Sequence, residues 1–117
     1  MKRIETVTIK DVNGKDLELE VYVGVMEMIF FEQEFNKITG KESSFITELE
    51  KVEKTHSMTS IIILLASAIH LPNKMQPVGV KYLNEHIDVL ENVGVLMEAL
   101  GNSMQSNKVK DNNKKGK

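Results

Sequence analysis

The side chains in this sequence that could do chemistry are three histidines, a run of glutamates and scattered serines. His56, His70 and His86 lie 14 and 16 residues apart, which matches no local zinc motif of the His-Glu-x-x-His type. They read as one surface histidine and two that pack or close helix ends. Glu27, Glu32 and Glu34 invite a carboxylate pair for acid–base work, but they border an apolar stripe, where acidic residues are expected to be solvated. The chain has no cysteine, which excludes thiolate nucleophiles, thiolate metal sites and disulfides. No serine stands in a nucleophile elbow. Gly14, Gly24, Gly40, Gly79, Gly94 and Gly101 are too dispersed for a dinucleotide fingerprint or a phosphate loop. The expectation is a protein that is not an enzyme, with no catalytic residues, no cofactor and no metal.

The methionines say more. Met26, Met28, Met58, Met75, Met97 and Met104 accompany the initiator in a chain without tryptophan. The thioether side chain is flexible and polarisable, so it fills cores and also lines grooves that adapt to irregular partners. Met26 and Met58 are expected to fill the core. Met28 and Phe31 on the first helix, with Met97, Leu100 and Met104 on the last, are the candidate partner-binding residues.

These side chains need a frame, and 117 residues suit one domain. Hydrophobic residues make up 41% and charged residues 27%, an ordinary globular composition. Val7, Ile9, Leu17, Leu19, Val21 and Val23 alternate with polar neighbours around Asp11-Val12-Asn13-Gly14-Lys15. That predicts a hairpin over residues 4–24, with Asn-Gly in a type I′ turn and one apolar face packed on helices. The period then changes to that of a helix over 25–38, with Val25, Met26, Ile29, Phe30, Phe35 and Ile38 inward and Gly40 as its stop. A second helix over 44–55 follows Ser43 and Ser44, turning Phe45, Ile46, Leu49 and Val52 inward and Glu48, Glu50, Lys51, Glu53 and Lys54 to water.

Ser57 caps a third helix over 58–70, whose stretch Ile61-Ile62-Ile63-Leu64-Leu65-Ala66-Ser67-Ala68-Ile69 is apolar on every face and must be surrounded. Pro72 ends it. Residues 77–105 form the closing helical segment, divided near Glu85-His86 or Gly94. The predicted fold is α+β, mainly α: an N-terminal hairpin on a bundle of four to five helices, as one domain over 1–106. Residues 107–117 have a single apolar side chain and are expected to be a disordered Lys/Asn-rich tail.

Formal net charge is -2, but residues 108–117 hold five lysines against one aspartate, leaving ten basic and sixteen acidic residues in the body. An acidic body is the opposite of a phosphate-binding surface, so no nucleic-acid partner is expected. The apolar run from Ile61 to Leu71 is about half the roughly 20 residues of a membrane span, and Ser67 and His70 interrupt it. The N-terminal residues have no apolar signal core, so a cytoplasmic protein is expected.

The Asn-Gly hairpin leads into Tyr22-Val23-Gly24-Val25-Met26-Glu27-Met28-Ile29-Phe30-Phe31-Glu32. With Ser43-Ser44-Phe45-Ile46-Thr47-Glu48-Leu49, the buried Ile61–Ala68 stretch and the closing Pro77-to-Leu100 helices, this order resembles the tail assembly chaperones of long-tailed, siphovirus-type bacteriophages and prophages. The resemblance covers residues 4–104 and includes no catalytic motif; the methionine-rich first helix is not required by the family pattern. It implies a non-enzymatic protein of the host cytoplasm that coats the tape measure protein before tail tube subunits polymerise, and that is absent from the finished virion. It also implies a longer product of a programmed frameshift that binds the tail tube protein; self-association is an expectation from spare apolar surface on a small domain. Asn113-Lys114-Lys115-Gly116 is compatible with an A-rich slippery stretch, since lysine and asparagine codons begin with two adenines. A simple solubilising tail accounts for it equally. The alternative function is a helical adaptor or regulatory protein-binding domain unrelated to phage.

Overall fold

A computed structural model describes the backbone of residues 3–115 and the side chains of residues 3–105. The tail expected to be disordered over 107–117 has helical backbone as far as Lys115, and its side chains lie outside the described residues. The elements are β1 (Glu5–Lys10), β2 (Asp16–Val21), α1 (Val25–Thr39), α2 (Phe45–Thr55), α3 (Met58–Ala68), β3 (Ile69–His70), α4 (Gly79–His86) and α5 (Val89–Lys115). The fold is α+β and mainly α, as the periodicities predict.

β1 and β2 pair antiparallel from Glu5↔Val21 to Lys10↔Asp16. The apolar face lies inward as expected: Ile9, Leu19 and Val21 are buried, and Val7, Leu17 and Val23 pack half-buried against them. The turn differs from expectation. A type I′ turn needs positive φ at both central residues, and here Gly14 alone is positive, at 83°. Asp11 donates its N–H to Lys15 O at 2.8 Å, and its Oδ1 accepts from the N–H groups of Asn13 and Lys15. This side-chain grip selects a three-residue loop ending in a left-handed glycine.

A two-stranded ribbon is marginal alone, and β3 adds a third strand through Glu20↔His70 and Val21↔Ile69. The third helix therefore stops at Ala68, two residues before the predicted end, because Ile69 and His70 join the sheet. Tyr22 N–H to Ala68 O and Val78 N–H to Ile69 O fix this junction. α3 begins where Ser57 Oγ accepts from the Ser60 N–H, and α1, α2, α4 and α5 all pack round it. Ile63, Leu64, Leu65, Ala66 and Ala68 are fully buried.

The closing segment divides after His86, where Asp88 Oδ1 accepts from the Glu91 N–H to start α5; Gly94 lies within the helix. α5 packs on β1 and β2 as well as on α3. Among the described residues no helix is long and apolar enough to cross a membrane.

Candidate protein-binding surface

Two buried glutamates determine which apolar side chains reach the surface. α1 starts at Gly24, and Glu27 in its first turn reaches back so that Oε1 accepts from the Gly24 N–H at 2.7 Å. Its Oε2 lies 2.9 Å from His70 Nε2 on β3. Glu27 is 1% exposed, correcting the expectation of a solvated carboxylate; Glu32 is exposed and Glu34 half-buried. Tyr22 stacks on the His70 ring at 3.8 Å and 8°. His70 is fully buried and its Nδ1 has no hydrogen-bond partner among the described residues.

Drawing Glu27 inward sets the roll of α1. Residues four apart share a helix face, so Phe31 and Phe35 follow Glu27 into the core, stacked on one another, with Phe31 edge-on to Phe45. The predicted inward stripe holds at Phe35 and, half-buried, at Phe30, and is overturned at Val25, Met26, Ile29 and Ile38, the last of them 46% exposed. Val25 is 73% exposed, Met26 71% and Ile29 46%, and they form one outward apolar face over the first two turns. The later turns of that face carry Glu32, Gln33 and Asn36.

The same device acts on α2. Ser44 caps the helix by accepting from the Thr47 N–H, while Ser43 instead donates its hydroxyl to Glu48 Oε2 at 2.5 Å. Ser60 on α3 donates to Glu48 Oε1 at 2.9 Å, and Lys51 Nζ lies 3.7 Å from Oε2. Glu48 is 5% exposed, not solvent-facing as predicted. Burial pushes its carboxyl upward, but the two hydroxyls and Lys51 outweigh that and hold it below the ordinary glutamate value. With Phe45, Glu48 and Val52 inward, Ile46 rolls out to 42% exposure.

Ile46 and Leu49 then face α5 across a groove of about 530 Å³, with Met104 opposite and Glu50, Glu53 and Glu98 around it. Another depression, of about 580 Å³, is lined by Glu32, Gln33, Asn36, Glu42, Ser43 and Ser44.

The five candidate partner-binding residues do not form one surface. Phe31 and Leu100 are fully buried and belong to the core. Met28, Met97 and Met104 are half-buried against it, and of these Met104 reaches the groove. Met26 and Met58, expected inside, are exposed, and Met75 is 86% exposed. Val25, Met26, Ile29 and Ile46 were assigned inward because all are apolar; the signal that could have placed them outside is the glutamate beside each stripe with polar partners within reach.

His56, at positive φ beyond α2, is exposed, and His86 stacks on Tyr82 at 4.2 Å. Among the described residues, no group of three or more histidine, aspartate or glutamate side chains is placed to hold a metal ion. No protein-family model, curated protein or solved structure matches the chain.

Proposed function

We propose that this protein is a tail assembly chaperone of a long-tailed phage or prophage, binding and shielding the tape measure protein in the host cytoplasm and helping to recruit tail tube subunits. The observation that carries the reading is the outward apolar face of α1. Val25, Met26 and Ile29 lie on one face and leave much of their apolar surface exposed in the monomer, and clustered exposed apolar side chains mark surfaces that another polypeptide covers. A long helical partner with repeated apolar stripes fits such a face by the helix-in-groove mode. The order of hairpin, acidic helices and central apolar helix is the order on which the family resemblance rests.

The test is co-expression with a tape measure protein, which this reading requires to be a long helical protein encoded near this chain. Retention of that protein on the tagged chain is expected. The pair Met26→Glu and Ile29→Glu should abolish retention while shifting stability by no more than about 0.5 kcal/mol, as exposed substitutions do. Failure of the unaltered chain to retain the large protein would count against the reading. The proposed frameshifted form is checked in the gene: an A-rich heptamer near codons 112–116 and an overlapping downstream frame must both be present.

A further inference from the structure

The groove between α2 and α5 has three properties that together specify an occupant. Its apolar lining is Ile46, Leu49 and Met104, beside the amides Asn102 and Gln105. Its rim is acidic, with Glu50 and Glu53 on α2 and Glu98 on α5, and no lysine or arginine lines it. Among the described residues none of these three carboxylates takes part in an ion pair. The third property is Gly101. A glycine inside a helix costs about 1 kcal/mol relative to alanine, and two intramolecular reasons for one are missing here. Its φ is not positive, and a Cβ built on it would meet nothing within 4 Å. Gly101 lines the groove and leaves open space there that the fold itself does not use.

We infer that the α2/α5 groove is a docking site for an amphipathic helix whose apolar stripe is flanked by lysine or arginine. The stripe covers Ile46, Leu49 and Met104 and approaches α5 closely at Gly101, while the flanking cations meet Glu50, Glu53 and Glu98. Opposite charge across a rim steers encounter and rejects wrong partners. A second copy of this groove would bring the same acidic rim against itself, which charge repulsion opposes. The inference rests on the reading of this chain as a protein-binding module, but not on the partner being a phage protein.

The test uses the full chain and two synthetic amphipathic peptides with identical leucine stripes, one flanked by lysine and one by glutamate, titrated by fluorescence anisotropy. The lysine peptide should bind at least about tenfold more tightly, with the advantage shrinking as salt rises and the Debye length falls to about 8 Å near 0.15 M. Combined Glu50→Lys, Glu53→Lys and Glu98→Lys should invert the preference. Gly101→Leu should fill the open space and abolish binding of either peptide with the circular dichroism spectrum unchanged. Equal binding of the two peptides, binding of neither, or indifference to the charge reversals would overturn the assignment. So would concentration-dependent self-association that the lysine peptide displaces, since a second copy would then be the occupant. If the peptides are distinguished but the tape measure protein is not retained, the phage reading falls and the groove stands. If retention survives both the Gly101→Leu and the charge-reversal variants, the groove falls and the phage reading stands.

Discussion

Glu48 is a buried acid whose surroundings favour its charged form. The hydroxyls of Ser43 and Ser60 donate to its two oxygens, and Lys51 stands beside one of them. Because its folded-state value lies below the ordinary one, the unfolded chain takes up the proton first as pH falls. The stability Glu48 contributes is therefore fully present above the ordinary glutamate value, about 4.3, and is lost as pH drops through the lower folded value. Glu48→Gln keeps the shape and removes the titration. At neutral pH the variant should be less stable, by about 1–3 kcal/mol for hydroxyl donors left with a weaker acceptor. The gap should narrow progressively below about pH 4. Urea unfolding at neutral pH and in acid measures both; a gap that stays constant, or widens, contradicts the account.

At the scale of elements, the roll of a helix is decided by the most demanding group it must satisfy, and in α1 that group is Glu27. Once Oε1 holds the Gly24 N–H and Oε2 meets His70, the face carrying Phe31 and Phe35 is committed to the core and the face carrying Val25, Met26 and Ile29 to the outside. Hydrophobic periodicity does not see this, because a carboxylate counts as polar wherever it lies. Periodicity did place the ribbon face of Ile9, Leu19 and Val21, the surrounded helix of Ile63 to Ala66, and the caps at Ser44 and Ser57, all of which depend on near neighbours in the chain. It missed β3, since Ile69 and His70 are a strand only by virtue of Val21 and Glu20, some fifty residues earlier. It missed the groove because Ile46 reaches the surface only through the burial of Glu48.

The coupling between Glu27 and His70 is measurable as a double-mutant cycle. Glu27→Ala alone strips the helix cap and leaves both nitrogens of His70 unpaired, at an expected cost of about 3–5 kcal/mol. His70→Ala alone leaves a buried carboxylate oxygen without its partner. The double variant should cost less than the sum of the singles by about 1–3 kcal/mol. Simple additivity in chemical denaturation would mean that the two side chains do not support one another and that the roll of α1 has another cause.

For the whole molecule, the consequence of these two rolls is a body with acidic surface and two separate apolar openings, one on α1 and one between α2 and α5. For a long partner with repeated apolar stripes, affinity can come from repetition. Many copies, each making modest contacts along one filament, bind with an avidity that no single contact supplies. The number of copies bound should then follow the length of the partner. If the chain coats a tape measure protein, deleting half of that protein's helical length should remove about half the bound copies, as counted by light scattering on the purified complex. A count that does not change would place the chain at one terminal site on its partner, and the apolar openings would have to serve a single tight contact in place of a coat.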